Sequence, residues 1–491
     1  ETSMALSIPS LRIALLSAAL VFSIGNSYAA DAPKDFLAAH LDTSVDPGVD
    51  FFQYANGGWL KAHPIPASES TWGIGNEVDE ELYARLRTIS ESAALTKTAH
   101  GSDQQKIGDF WSTAMDSAKA DKLGAHPLDA ELARIDAIDS PAGAIDAAFA
   151  FAPIGVDALF RFGVGQDDKD SATMAAQVRQ GGLGLPERDF YFNPEAGVAK
   201  IRADYVDHIA RTFVLLGREP EAAKAAAAQV MTFETALAQA SRKLEDLRDP
   251  EKNYNKLTPA EFTAQYTPSI DWAARLAAWG VKPDYLLVGQ PEFFAAEDRL
   301  LRETPLPVLR DYLRYHLVDA YATYLSSAFD AEHFRFHGQA MSGQKEQRPR
   351  WKRTLDEQND ALGMVLGRIF VKEYFPAASK QRYTAMVEAI RGTFRDRIQR
   401  LDWMGDDTKT KAQAKLADAL FQPTEFGCHI GFAKTQHLGD LAIAALFQIK
   451  QHQGTVEWIQ FGNQAIEGGD AFVWFWCWRG DHLDCFVAIN R

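Results

Sequence analysis

The 28 residues DPGVDFFQYANGGWLKAHPIPASESTWG (Asp46–Gly73) crowd aromatic side chains and paired glycines ahead of two prolines. Gly57-Gly58 followed by Trp59 predicts a tight turn with close backbone approach, because only glycine lets another backbone come that near. Pro64 and Pro66 fix φ and predict an extended connector behind it. Outward from this stretch the chain reads mostly as amphipathic helix. Ile201, Tyr205, Ile209, Phe213 and Leu216 recur every three or four residues, and Gly217 is the predicted stop. Tyr383, Val387, Ile390, Phe394, Ile398 and Leu401 recur in the same way. The alanine-rich stretch 222–240 has high helix propensity, with Val230, Phe233 and Leu237 as its apolar line. β signals are few: ALFRFGV (Ala158–Val164) and TMAAQV (Thr173–Val178) flank the polar GQDDKDS and predict a hairpin. The fold class is mainly α.

At 491 residues the chain is long enough for more than one packed lobe. Its formal charge of −15 argues against nucleic acid or anionic membrane surfaces as main partners. Near the start, Arg12 precedes the apolar run IALLSAALVFSI (Ile13–Ile24), followed by the small-x-small pattern Ser27-Tyr28-Ala29. Twelve apolar residues are too few to span a bilayer, so residues 4–29 read as a cleavable signal. The expected location is the periplasm or the cell exterior, with no transmembrane segment after cleavage. All three cysteines, Cys428, Cys477 and Cys485, fall in the last 64 residues. In an oxidising compartment that odd number leaves one thiol unpaired.

Four further stretches stand in a fixed order behind Asp46–Gly73: GGLGLPERDFYF (Gly181–Phe192); FETALAQAS (Phe233–Ser241) with RDPEKNYNKLT (Arg248–Thr258); SGQKEQRPRWKR (Ser342–Arg353); and RIQRLDWMGDDTKTKAQAKL (Arg397–Leu416). Read locally, Pro186-Glu187-Arg188-Asp189 is a turn into a helix with ion-pair partners at hand. Arg348, Arg350, Lys352 and Arg353 read as a solvated helix start pairing with acids such as Glu346, rather than as an anion site. Together with the opening stretch, the set resembles the neprilysin and endothelin-converting-enzyme family of zinc endopeptidases over about residues 35–417. Gly48 and Asn56 stand where animal members carry cysteines, which points to the disulfide-poor bacterial branch. The resemblance implies a strap at 30–72, which in relatives packs on the catalytic lobe. It also implies a large helical lobe at 73–410 with a few short strands, zinc as the family's cofactor, and oligopeptides as substrates.

The family's chemistry needs His-Glu-x-x-His: two imidazoles on one helical face, with a glutamate to activate the zinc-bound water. None of the twelve histidines here is followed by glutamate. HFRFH has the spacing, His333 to His337, but puts Phe334 at the base position, and it matches a helical-lobe segment where the family holds no zinc; two helix or turn histidines are expected. The Asn-Ala-x-Tyr substrate strand is also missing, and Thr71 stands where animal members place an arginine. No Gly-x-Ser-x-Gly elbow or phosphate-binding loop occurs, since Gly181-Gly182-Leu183-Gly184 lacks the lysine.

At about Phe421 the texture changes. Residues 421–491 hold 11 charged residues in 71, against 106 in the preceding 420, and tyrosine vanishes while Trp458, Trp474, Trp476 and Trp478 crowd in. This seam falls where the family's catalytic half would begin, so the tail 418–491 reads as out of frame, with the slip near Ala417–Phe421. Cys477, His482 and Cys485, with Cys428 or His429, offer zinc-ligand chemistry, and a Cys477–Cys485 disulfide is an alternative. An accidental cluster is the expectation. AFVWFWCW (Ala471–Trp478) has no charge and no proline, an aggregation hazard. The expectation is therefore a neprilysin-like metallopeptidase helical lobe without catalytic residues or metal ligands of its own, hence inactive. The alternative is a non-catalytic exported protein that binds peptides or a partner.

Overall fold

The computed structural model describes residues 36–170, 172–419, 473–479 and 483–489. The signal reading at 4–29 lies outside them. The chain divides into two compact units, Glu1–Pro66 and Ala67–Arg491.

In the first unit the Gly-Gly-Trp stretch corrects the sequence reading. It forms no turn but lies inside the helix Phe51–Ala62, whose N-cap Asp50 accepts from the Gln53 amide at 2.9 Å. Close approach is nonetheless what the glycines provide. A Cβ on Gly58 would sit 3.0 Å from the carbonyl oxygens of Ala39, His40 and Leu41, so the Phe36–His40 helix and its exit pass directly over it. Asp42 secures the crossing through Lys61 at 2.7 Å and the Ser44 amide at 3.2 Å.

The second unit is built on helices that proline starts at the first turn, where its missing N–H costs nothing: Pro141–Phe151, Pro220–Ala240, Pro259–Tyr266 and Pro291–Glu303. The predicted 201–217 helix is Ala196–Leu215. Its end is closed by Gly217 at φ 90°, with the Arg218 amide reaching back to the Phe213 carbonyl at 3.0 Å. Tyr205, Ile209 and Phe213 are fully buried, as are Val230 and Leu237 of the neighbouring helix. The main core joins these two helices to Leu306–Tyr321 and to an aromatic group in which Phe149, Phe160 and Trp272 pack with ring centroids 4.8–5.1 Å apart. A second core, around Ile89, Ile107 and Phe370, holds Ile74–Leu95, Asp103–Met115 and Arg350–Tyr374 together.

The predicted hairpin forms: β1 (Phe160–Gln166) pairs antiparallel with β2 (Met174–Gln180), with Gly163 opposite Gln177. Asp167 ties its turn down, accepting from the Lys169 amide at 2.8 Å and the Tyr285 hydroxyl at 2.7 Å. Two short strands, β3 (Asn255–Leu257) and β4 (Leu286–Val288), complete a sheet of order β1-β2-β4-β3, with β2 and β4 parallel. In the tail, β5 (Val473–Arg479) and β6 (Leu483–Ile489) pair antiparallel and set Cys477 opposite Cys485. No strand was expected there, although aromatic and β-branched residues favour one. His482, Cys428 and His429 lie outside the described residues.

One expectation about surfaces needs correction. The basic run at Arg348–Arg353 does pair with acids, but not with Glu346. Arg348 meets Glu69 at 3.1 Å and Asp356 at 2.9 Å, Arg353 meets Asp330 at 2.8 Å, and Lys352 meets Glu80. Lys352 is buried rather than solvated. The apolar line of helix Ala377–Arg400 is uncovered: Tyr383, Met386, Ile390 and Phe394 are 36–53% exposed. Periodicity marks a face that wants cover; it does not supply the cover.

Candidate functional site

Polar side chains in the middle of an apolar lobe must find partners there or destabilise it. Here they do so on four helices. Tyr205 and His208 stand one turn apart on the buried face of helix 196–215, and Glu234 follows Phe233 on the buried face of helix 220–240. His316 and Asp319 are one turn apart on helix 306–321. Glu332 and His333 end the helix Ser327–His333, and His337 sits in the π-helical turn Phe334–Met341 that continues it.

Glu234 is the first hub. Fully buried, it accepts from Tyr191 at 2.6 Å and Tyr205 at 2.9 Å, lies 2.9 Å from His316 Nε2, and takes the Gly184 amide at 3.3 Å. Burial, and after it the negative charge of Glu234, pushes the Tyr191 and Tyr205 hydroxyls well above their ordinary range. These tyrosines therefore serve as fixed donors. The GGLG segment explains itself at this hub. Gly182 holds φ at 75° with its carbonyl on the Tyr312 hydroxyl at 2.8 Å, and a methyl on Gly184 would overlap the Tyr205 hydroxyl.

The second hub is His208, 1% exposed and bracketed by carboxylates. Its Nδ1 lies 3.1 Å from Glu332 Oε1 and its Nε2 lies 2.9 Å from Asp319 Oδ1. Asp319 also faces His337 Nε2 at 3.2 and 3.3 Å, and Arg211 donates to Glu332 at 2.7 Å. Burial opposes charge on Asp319, yet the bonds to His208 and His337 outweigh it and hold the carboxyl well below its ordinary range. Burial likewise opposes a charged His208, and the bonds to Asp319 and Glu332 overcome it and raise the imidazole. His333, its ring tilted against that of His337 with centroids 4.2 Å apart, has no such carboxylate bond; burial, and then the nearby His337 charge, pushes it down to about 4. A cleft of about 200 Å³, lined by Asp157, Arg161, Gly182, Gly184, His316 and Asp319, opens beside both hubs.

Among the described residues, His208, Asp319 and His337 form the one group of histidine, cysteine or acid side chains whose ligand atoms all lie within 4.8 Å of one another. Sequence reading had singled out His337 through HFRFH, but as the partner of His333. The structure takes His337 away from that i, i+4 pair and gives it to His208 and Asp319. The residues do not fit the family's hydrolytic zinc. His337 is followed by Gly338 rather than by a glutamate, and His208 is closed off from any substrate. The signal that was available was polar residues on apolar faces: His208 one turn from Tyr205, and Asp319 one turn from His316.

A helical lobe of this design, with strands reduced to a four-stranded ribbon, is that of the neprilysin and endothelin-converting-enzyme class of metallopeptidases. The sequence profile of Peptidase family M13 matches residues 47–420, and the chain belongs to that family. Rat endothelin-converting enzyme 1 is 29% identical over 399 residues, and rat endothelin-converting enzyme-like 1 is 31% identical over 400; each alignment covers 78% of this chain and 51% of the relative. The chain thus spans about half the length of the curated relatives it matches. Among solved structures, the zinc metalloprotease ZMP1 of Mycobacterium tuberculosis, in complex with inhibitor, superposes with a TM-score of 0.70 at 27% identity, covering 86% of this chain and 66% of that one. PEPO from Lactobacillus rhamnosis, at 21% identity and a TM-score of 0.64, shares the fold.

Proposed function

We propose that these residues form the helical lobe of an exported zinc endopeptidase that acts on oligopeptides, and that the 491-residue polypeptide does not itself hydrolyse them. In this reading residues 30–72 are a strap, 73–410 the lobe, and 418–491 a tail foreign to the fold. The carrying observation is family membership over 47–420 in a sequence where no histidine is followed by glutamate. The uncovered line Tyr383, Met386, Ile390 and Phe394 supports it, since apolar helix faces of this kind ordinarily meet another packed layer. Among the described residues no helix is long and apolar enough to cross a membrane. The test is cleavage of a fluorogenic oligopeptide by the purified chain with added zinc. No chelator-sensitive turnover is expected, and zinc-dependent turnover would refute the proposal.

The same exposed face favours a second reading, a non-catalytic protein that binds peptides or a partner. Size-exclusion chromatography separates the two: a binding protein elutes as a soluble monomer, whereas a lobe lacking its cover self-associates.

A further inference from the structure

We propose that His208, Asp319 and His337 bind a divalent transition-metal ion of the zinc type, at a site separate from the hydrolytic centre of the family. The donor set, two imidazoles and one carboxylate, suits zinc and its neighbours rather than calcium or magnesium. The spacing agrees. Ligand atoms bound at about 2.0–2.1 Å to one tetrahedral ion lie about 3.3 Å apart. Here His337 Nε2 lies 3.2 and 3.3 Å from the Asp319 oxygens, His208 Nε2 lies 2.9 Å from Oδ1, and the three ligand atoms all lie within 4.8 Å of one another, so the two imidazoles have to close toward each other around Asp319 as the ion enters.

The outer layer is also in place. A metal-bound imidazole ordinarily gives its second N–H to a carboxylate, which fixes the ring and raises its basicity. His208 Nδ1 faces Glu332 at 3.1 Å, and Arg211 orients Glu332 from the other side. Helices 196–215 and 306–321 anchor His208 and Asp319, and His337 comes from the π-helical turn, a geometry that recurs at functional sites. Asp319 lines the cleft and His337 is 32% exposed, which gives the ion an entry path and leaves one position for water. Without the ion, imidazole N–H groups donate to Asp319. On binding, each Nε2 must present its lone pair to the metal, so a proton held there moves to the other ring nitrogen or passes to solvent. This departs from the sequence expectation that the chain holds no metal, and it leaves the expectation of no hydrolysis untouched.

The test is cobalt titration of the full chain carrying Cys428→Ser, Cys477→Ser and Cys485→Ser, so that no thiolate competes, followed by visible absorption and displacement by zinc. One cobalt per chain is expected, with the intense bands of a four-coordinate site. His337→Gln should weaken binding more than tenfold and Glu332→Gln roughly 10–100-fold, whereas His333→Gln should bind as the parent does. A measurement on the parent needs no ligand variant: zinc should protect His337 from carbethoxylation, read by mass spectrometry, while the exposed His126 keeps reacting. If the parent takes up no cobalt, if His337→Gln binds as tightly as the parent, or if zinc leaves His337 reactive, the three side chains are a hydrogen-bonded triad only and the proposal fails.

Discussion

Replacing Glu297 by methionine should stabilise the protein, and the gain should grow with pH. Glu297 lies on helix 291–303 between Phe293 and Leu301, wholly buried, and neither carboxylate oxygen has a hydrogen-bond partner. Burial, and after it the charge of Asp298, pushes its carboxyl well above the ordinary 4.5. The native state therefore keeps the acid protonated, while the unfolded chain ionises it near pH 4.5. For an acid raised in the native state, the contribution to stability is complete below the unfolded value. It is then lost at about 1.4 kcal/mol per pH unit as pH rises, until the native value is reached. Between pH 5 and pH 7 the loss can reach about 3 kcal/mol. Methionine fills a similar volume and carries no proton to lose, so it escapes that slope. The assay is urea unfolding of wild type and Glu297→Met at pH 5, 6 and 7. The stability gap should widen toward pH 7, by at most about 3 kcal/mol. A gap that does not change with pH, or a variant weaker than wild type throughout, would show that Glu297 ionises freely or has a partner, and the reasoning would be wrong.

Gly184→Ala places a methyl against the Tyr205 hydroxyl and should cost about 1–3 kcal/mol, as overpacking does. Tyr205→Phe removes the oxygen it strikes, so the double variant should lose less than the two single losses summed; strict additivity in denaturant midpoints would count against the contact. Replacing both Met386 and Phe394 by serine on the uncovered face of helix 377–400 should leave the unfolding midpoint within about 1 kcal/mol of wild type. The same change should reduce self-association in light scattering, and unchanged association would place the sticky surface elsewhere, the tail being the first candidate.

How legible this was depends on whether the signal was local. Helix 196–215 could be read because Tyr205, Ile209 and Phe213 repeat at helical spacing and Gly217 closes the end with a positive φ. The β1–β2 hairpin could be read because its strands flank a polar turn whose first aspartate binds the turn's own amides. Gly57-Gly58 misled because close backbone approach and a turn leave the same trace in sequence, and here a crossing chain rather than a bend required the glycines. In helix 377–400 the repeat was real while its burial was not, since a periodic apolar face records a requirement and says nothing about whether it is met within the same lobe.

The buried hubs lie beyond local reading altogether. Glu234 meets a tyrosine 29 residues before it and a histidine 82 residues after it, and His208 meets carboxylates 111 and 124 residues away. No window of sequence contains such a pair. What the sequence does carry is a set of exceptions: a histidine, a glutamate and an aspartate placed on faces that are otherwise apolar. Leaving any one of these unpaired inside the lobe would cost about 1–3 kcal/mol, more for a charge, so each implies a partner that the fold must deliver. Because the delivery comes from four separate segments, the pairing constrains how they pack, and polar exceptions of this kind specify an arrangement that apolar periodicity leaves open. Such a network, in a stretch of chain with no hydrolytic motif, indicates that the lobe's internal geometry is specified by its own residues.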